Sequence, residues 1–383
     1  MTATLDPPVR TSPLLDATRP PLRPVPLRGA AVIAEVAAAG LTGRGGAGFP
    51  VARKLAAVNA AVTVTGRTPV VVGNGSEGEP ASSKDRVLLT TAPHLVLDGL
   101  AVAADAVGAD RAHLVVTPAA VAAVRAAVAQ RSDRVPVDVV AAGEHFVSGE
   151  ETAVVAGLEG RRAVPGDKFR RVVESGVHGR PTLVQNVETL AHLGLIARSG
   201  AAWFRSRGTA AEPGTALVTI SGAVARPGVF EVDHGAPLRD VVGLAGPRGE
   251  TPVLVGGFHG AWLAPHEVAG AAFCRASLGT FGASPGAGVL IVLPAGASGL
   301  AETARITAYL AGQSAGQCGP CVNGLPRLAA ELGRVAAGHG SRPDDRAELY
   351  RLAGLTEGRG ACHHPDGTVR LVGSALRVFG ARS

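Results

Sequence analysis

The chain has 383 residues, enough for two or three domains with buried cores, and 46% of them are apolar although only 3% are aromatic. Its 37 basic and 31 acidic residues leave a net charge of +6, and the basic residues are scattered, which argues against a nucleic-acid surface. No signal-peptide segment opens the chain, and no apolar run reaches the ~18 residues of a membrane helix, so we expect no direct membrane insertion.

The first predicted segment, residues 1–29, is rich in proline and reads as an extended arm, because proline supplies no amide donor to a hydrogen-bonded ladder. A short helix over 31–39 follows, and it ends at Gly40. The glycine-dense loop 43–48 comes next. The apolar strand 70–72 then opens into a second polar glycine loop, the position at which α/β folds bind ligands.

Strands and helices alternate after this loop. Helices are predicted over 94–107 and 119–130, and strands over 114–116 and 137–140. This order predicts a largely parallel sheet with helices on its faces. The loop 146–152 then leads into a helix whose N-terminus carries two adjacent carboxylates.

The pattern changes near residue 214. Strands at 216–220 and 229–232 flank a glycine/proline turn and predict a β-hairpin; a helix at 238–244 and strands at 253–255 and 289–292 complete a small α+β module. From residue 300 the pattern is helical, with Leu325, Leu328, Leu332 and Val335 on one face.

Cysteines in the helical part suggest a metal centre. Cys318 and Cys321 are two residues apart, and Cys362 follows much later, a pattern that fits an iron–sulfur site. The CxxC pair alone also fits a zinc knuckle, a redox dithiol or a chance neighbourhood. Four cysteines used in this way suit a reducing compartment, so we expect a cytoplasmic protein.

The glycine loops are ambiguous by themselves. Loop 43–48 followed by Lys54 suits the phosphate of a mononucleotide, but a simple packing turn fits equally well. Glu77, Glu79, Glu150 and Glu151 suit ribose hydroxyls, or they are ordinary acids at helix starts.

Taken in order, these segments resemble the NADH-oxidising FMN/iron–sulfur flavoprotein subunit of respiratory complex I, the 51 kDa-type subunit, and related subunits of NAD-linked hydrogenases and formate dehydrogenases. The matching segments are 40–50, 74–80 with 84–86, 148–152 with 158–162, 179–182 with 186–190, 221–224 with 226–229, and the cysteine segment. The resemblance covers about residues 30–383.

This resemblance implies an α/β fold. It predicts a Rossmann-like FMN-binding domain at 30–205, a β-grasp (ubiquitin-like, SLBB-like) domain at 214–295 and a helical iron–sulfur-binding domain at 299–383.

The resemblance also implies the site residues. The predicted FMN contacts are Gly43, Arg44, Gly45, Gly46, Lys54, Asn74, Glu77, Gly149, Glu150, Val184, Asn186 and Thr189. A nicotinamide nucleotide, NAD(H) or NADP(H), would lie against the flavin near Phe49 and Lys168, with the catalytic residues Glu79 and Glu151 at the reaction centre. Electrons would then leave singly through the cluster.

The chain departs from the family at the cluster. Ala315 stands where the first of three clustered cysteines is expected, which leaves Cys318, Cys321 and Cys362 as ligands of a 3Fe-4S centre, or of a 4Fe-4S centre completed by water or another side chain. His363, His364 and Asp366 are candidates for that last ligand, although ordinary surface positions are the simpler expectation for the histidines. Cys274 is expected to be a buried thiol.

The nucleotide side departs as well. Arg171 and Ala57 replace two aromatic residues that would stack on the nucleotide, which should weaken NADH binding. Arg170 and Arg171 together suit a 2′-phosphate, hence NADPH, or an acidic carrier protein. Phe146 replaces a tyrosine near the flavin.

Three functions follow as hypotheses. The first is a flavin/iron–sulfur oxidoreductase of the NAD(P)H dehydrogenase type, passing electrons to an electron-carrier protein or an iron–sulfur partner subunit. The second is an electron-transfer subunit that keeps FMN and the cluster, no longer binds NADH and relays electrons between partner proteins. The third is a non-catalytic relative whose β-grasp module binds a small ligand, and Asn74, Glu77, Gly149 and Glu150 argue against it.

Overall fold

The computed structural model of the chain describes residues 12–16, 29–166, 169–339 and 343–380. Most of the predicted arm lies outside these ranges. Within its described part, Leu14 is fully buried, and Glu231 accepts hydrogen bonds from Ser12 Oγ at 2.5 Å and from the Leu14 amide at 3.0 Å. Residues 12–16 are therefore attached to the strand that carries Glu231, which belongs to the second of the two sheets described below.

The first part of the fold is a four-stranded parallel sheet. Its strands are β1 (Val70–Gly75), β2 (Arg111–Val116), β3 (Val137–Ala141) and β4 (Thr182–Asn186), in the order β3-β2-β1-β4. The predicted parallel sheet is confirmed. The helices are α1 (Ala30–Ala39), α2 (Val51–Thr65), α3 (Lys84–Thr91), α4 (Pro93–Val107), α5 (Val121–Ala129), α6 (Glu151–Leu158) and α7 (Val187–Arg205).

Local sequence explains several of these boundaries. Gly40 ends α1 in the left-handed conformation, with φ 72°, and Pro93 begins α4, where its missing amide costs nothing. The Asn186 side chain caps α7 by accepting the Glu188 amide at 2.9 Å. Helices α2 and α3 were not predicted, because Gly and Pro crowd the segments that lead into them.

A five-stranded mixed sheet forms the second part. Its strands are β5 (Thr215–Gly222), β6 (Gly228–Asp233), β7 (Val253–Val255), β8 (Ala261–Leu263) and β9 (Val289–Val292), in the order β6-β5-β9-β7-β8. Strands β5 and β6 form the predicted hairpin, and β9 runs parallel to β5. Three short helices accompany the sheet: α8 (Leu238–Gly243), α9 (Pro265–Gly270) and α10 (Arg275–Gly279).

The last part is helical. It contains α11 (Gly299–Gly312), α12 (Leu325–Arg334), α13 (Pro343–Thr356) and α14 (His364–Phe379), with a π-helical turn at Pro320–Gly324. Leu325, Leu328 and Leu332 are fully buried, as their spacing predicts. Trp262 Nε1 donates to Thr303 Oγ1 at 2.9 Å, which joins this bundle to the second sheet.

No single described helix is both long enough and apolar enough to cross a membrane. Helices α3 and α4 meet that test only as a pair, and they are bent by 96° relative to each other.

Candidate functional site

The polar loops predicted to bind a ligand converge at the carboxyl ends of β1 and β4. Asn74 and Asn186 are paired in register on these neighbouring strands. Asn74 Nδ2 donates to the Gly149 carbonyl at 2.8 Å, which brings the loop before α6 to the same edge. Open parallel sheets place ligands at this edge.

The glycine loop 43–48 lies against this edge. The Gly43 amide donates to the Phe49 carbonyl at 2.9 Å and closes the loop, and Gly46 and Gly48 adopt φ 103° and 64°, which glycine tolerates best. A Cβ at Gly45 would lie 3.3 Å from Asn186 Cβ, so glycine allows this close approach.

Arg44 does not direct its side chain toward the sheet edge. Its guanidinium is buried and donates to the carbonyls of Thr215, Pro213 and Thr42, while its amide donates to Thr189 Oγ1 at 2.8 Å. Burial lowers the pKa of Arg44 to about 10, which still leaves it charged at neutral pH. Arg44 thus fastens the loop to the second sheet, and Thr189 anchors the loop's backbone.

Lys54 reaches the site from α2. Its Nζ lies 2.8 Å from the Val184 carbonyl and 2.9 Å from Glu151 Oε1. The ammonium therefore stands between β4 and the start of α6, next to predicted site residues of both elements.

Glu77 and Glu150 both act as helix caps. Glu77 adopts φ 44° and accepts hydrogen bonds from Ser82 Oγ and from the amides of Asp85 and Arg86 at the start of α3. Glu150 accepts from the Thr152 amide at 2.8 Å and from Thr152 Oγ1. Burial and the neighbouring Asp85 charge raise the pKa of Glu77. Local capping thus accounts for much of the bonding of both carboxylates.

Glu79 connects two parts of the molecule. Its Oε1 accepts from the Ala81 amide at 3.2 Å, and its Oε2 accepts from the Phe258 amide, on the loop after β7, at 2.8 Å. Burial raises the pKa of Glu79 to about 7. A carboxyl with this pKa exchanges its proton near neutral pH.

The nucleotide side is the least enclosed part of the site. Phe49 is 48% exposed, and the Arg53 guanidinium lies 5.5 Å from its ring centroid. Arg171 is exposed and paired with Glu174. Phe169 is 93% exposed, and Lys168 lies outside the described residues.

A buried ion cluster lies below the sheet edge. Lys84 Nζ is 2.8 Å from both Asp85 Oδ1 and Glu188 Oε2, and Asp85 Oδ2 accepts from Asn186 Nδ2 at 2.7 Å. The two carboxylates raise the pKa of Lys84 even though burial opposes ionisation. Through Asp85, this cluster holds the side chain of Asn186 in place.

The three predicted cluster cysteines come from two segments. The Cys321 amide donates to the Cys318 carbonyl at 3.1 Å, so these two residues share one turn, and Cys362 is buried just before α14. Burial, Cys318 and Cys362 together raise the pKa of Cys321 to about 12. Over the described ranges, no group of three or more His, Cys, Asp or Glu residues is arranged to hold a metal ion. The donor type still fits, because thiolates are the ligands that hold iron–sulfur clusters.

Two expectations about burial are wrong, one for His364 beside the cysteines and one for Cys274 beside the second sheet. His364 is 3% exposed rather than a surface residue, because it packs against Phe146 and His259, and both of its ring nitrogens are engaged. Cys274 is partly exposed rather than buried, because it precedes the short helix α10. His363, by contrast, is exposed and bonds Asp366 at 3.2 Å.

Several contributing residues were not predicted. Arg275 donates to the Gly46 carbonyl at 2.7 Å, Phe258 donates to Glu79, and Gln313 accepts from the Phe146 amide at 2.9 Å. The consecutive glycines 256 and 257, which both adopt a positive φ, are a local sequence signal for the turn that precedes Phe258.

Three family descriptions match consecutive parts of the chain. The "Nuo51 FMN-binding domain" matches residues 36–194, the "SLBB domain" matches 217–251, and the "NADH-ubiquinone oxidoreductase-F iron-sulfur binding region" matches 301–382.

Similar proteins include the F 2 subunit of the NADH-quinone oxidoreductase of Rhizobium meliloti, 31% identical over 91% of this chain and 87% of that protein. The F subunit of the NADH-quinone oxidoreductase of Salmonella typhimurium is 30% identical over 91% of this chain and 82% of that protein. A crystal structure of an NAD+-reducing [NiFe]-hydrogenase in the H2-reduced state superposes with a TM-score of 0.84 at 32% identity, covering 92% of this chain. The chain spans 62% of that hydrogenase chain.

Proposed function

Because this chain belongs to the family of NADH-quinone oxidoreductase F subunits, we propose that it is an oxidoreductase that takes electrons from a nicotinamide nucleotide and delivers them singly to an acceptor. FMN and an iron–sulfur cluster are its proposed cofactors. An electron-carrier protein or an iron–sulfur partner subunit is its proposed acceptor.

One observation carries this proposal. The glycine loop, Lys54, Asn74, Asn186 and the Gly149–Glu150 loop all meet at the carboxyl edge of β1 and β4. A cation, an accessible glycine backbone and amide side chains are the groups that a phosphate and a flavin ring require.

When bound, FMN accepts a hydride and an iron–sulfur cluster carries single electrons. The residues present fit FMN. Gly45 is exposed and Gly46 and Gly149 are partly exposed, so their backbone is accessible, and Lys54 would supply charge for the phosphate. Asn74 and Asn186 would orient the ligand, and hydrogen bonds to the protein hold both side chains in place.

Glu79 and Glu151 are the proposed residues at the reaction centre. Glu151 is held by Lys54, and Glu79 is held by the loop after β7. Because its pKa is about 7, Glu79 can accept or release a proton at the edge of the site as the charge there changes.

Cys318, Cys321 and Cys362 are the proposed cluster ligands. Both nitrogens of His364 already bond protein atoms, so His364 is a poor candidate for a further ligand, in contrast to the exposed His363. The proposed domain bounds are those of the sequence, 30–205, 214–295 and 299–383. The use of four cysteines, two of them in a CxxC pair, suits a reducing compartment and supports the proposed cytoplasmic location.

Anaerobic mixing of the reconstituted protein with NADH or NADPH tests the function, with flavin absorbance as the signal. Bleaching by either nucleotide is expected, and the more effective nucleotide defines the specificity. If dithionite bleaches the flavin and neither nucleotide does, the dehydrogenase proposal fails, and the relay of electrons between partner proteins replaces it.

A further inference from the structure

Phe146 lies where the three parts of the fold meet. It precedes the Gly149–Glu150 loop of the first part. Its ring centroid is 4.6 Å from that of His259, on the loop between β7 and β8, and 5.5 Å from that of His364, at the start of α14. One side chain thus contacts both other parts of the molecule.

The two histidines form a fixed pair. His364 Nε2 lies 2.9 Å from the Leu310 carbonyl, which can only accept, so this nitrogen carries the proton. The other ring nitrogen, Nδ1, lies 3.0 Å from His259 Nε2, so a hydrogen bond joins the two rings. These hydrogen bonds therefore fix the orientation of both rings.

The backbone of Phe146 is also held. Its amide donates to Gln313 Oε1 at 2.9 Å, and Gln313 ends α11 where the cysteine loop begins. On the other side, a Cβ at Gly78 would lie 2.4 Å from the Phe146 carbonyl oxygen, so the loop of Glu77 and Glu79 packs directly on this backbone.

These contacts connect two sites that the chain separates widely. Gln313 lies five residues before Cys318, and His364 lies two residues after Cys362. Both segments that carry proposed cluster ligands therefore contact Phe146. Phe146 in turn begins the helical turn Phe146–Gly149, which leads directly into Glu150.

We propose that Phe146 couples the two cofactor sites, so that assembly of the iron–sulfur site, by fixing Gln313 and His364, tightens the binding of FMN at the Gly149–Glu150 loop. This inference rests on the proposed function, since it assumes both cofactors. Ligation of the thiols orders the segments around them, and that order is transmitted by the Phe146 contacts. By linkage, bound FMN favours cluster assembly by the same factor.

Titration of FMN into the full-length, flavin-free chain tests the coupling, with quenching of flavin fluorescence as the signal. The Kd is measured before and after anaerobic iron–sulfur reconstitution. For the wild-type chain we expect a fall of about tenfold on reconstitution. For Gln313→Ala, compared at equal iron content, we expect most of the change in Kd to vanish. Gln313→Glu keeps an acceptor oxygen for the Phe146 amide, so it should retain the change in Kd.

Ser298→Ala is the matched control. It removes a hydrogen bond at the other end of the same helix, where Ser298 Oγ accepts the Ala301 amide at 3.2 Å, without touching Phe146. The full tenfold change is expected to persist in this variant. If Ser298→Ala also loses the change in Kd, the loss comes from a general weakening of α11, and the coupling is overturned.

Hydrogen exchange of the Phe146 amide, in protein without either cofactor, gives a second readout. Gln313→Ala should accelerate this exchange, and Gln313→Glu should not. An unchanged Kd on reconstitution of the wild-type chain, or equal exchange in Gln313→Ala, overturns the coupling and leaves the proposed function standing. A wild-type chain that binds no FMN in either state overturns the proposed function itself.

Discussion

The Glu79 carboxylate accepts the backbone amide of Phe258 at 2.8 Å, which ties the loop after β1 to the loop after β7. Burial at this junction raises the pKa of Glu79 from 4.5 to about 7. Over that interval the folded chain retains a proton that the unfolded chain has released. The contribution to the free energy of unfolding is therefore fully present below pH 4.5 and is lost as the pH rises toward 7.

Glu79→Gln should remove this pH dependence, because an amide does not ionise. The difference in Tm between variant and wild type should shift in the variant's favour as the pH rises from about 5 to about 8. Thermal unfolding across that range checks the prediction. Parallel Tm curves for the two proteins would contradict it.

Lys54→Met should raise the Kd for FMN by about tenfold or more, since it removes a charged donor from the proposed phosphate site. Fluorescence titration of the flavin-free chain measures the effect. Arg53→Ala is the control, because Arg53 is the exposed neighbour that lies over the Phe49 ring rather than at the edge of β4. Equal losses in both variants would mean that Lys54 has no specific role.

Lys84→Met should lower the free energy of unfolding by about 3 kcal/mol, because it leaves two buried carboxylates without their cation. Arg134→Met, in the largely exposed pair with Asp105, should cost less than about 1 kcal/mol. Urea unfolding of both variants provides the comparison. Similar decreases in the free energy of unfolding for the two variants would show that burial does not strengthen the Lys84 interactions.

Ala315→Cys should increase the iron and sulfide retained after reconstitution, because it restores a thiol at the buried position where the family's first cluster cysteine is expected. Iron and sulfide analysis with EPR checks this. Cys274→Ser, in the second sheet region, should leave iron content unchanged. Retention that falls in Ala315→Cys would argue against a cluster at this loop.

Local patterns predicted the parts of the fold that depend on neighbouring residues. The valine run of β1 and the glycine at the end of α1 act through hydrophobic burial and backbone geometry within a few residues. Helix α6 could be placed for a similar reason, because Glu150 caps it directly. These interactions leave a signature in consecutive residues.

Other features depend on contacts between distant segments. The histidine pair joins residues 259 and 364, and Phe258 contacts Glu79 across the two sheets. Neither contact has a local pattern, and the burial of His364 follows from its partners rather than from its neighbours. The FMN contact predicted for Arg44 came from the family resemblance alone, and the hydrogen bonds of its guanidinium to Thr215 and Pro213 likewise have no local pattern.

Glu188 accepts the Leu217 amide at 2.8 Å, and Arg44 donates to the Thr215 carbonyl at 3.1 Å. Both side chains belong to the first part of the fold, and both bond β5, the first strand of the second sheet. A fragment cut between residues 205 and 214 would therefore expose a carboxylate and a guanidinium that are buried in the intact chain. Replacing the first part of the fold, or the second sheet, with that of a relative would succeed only if the replacement brought matching hydrogen-bond partners for these two buried groups.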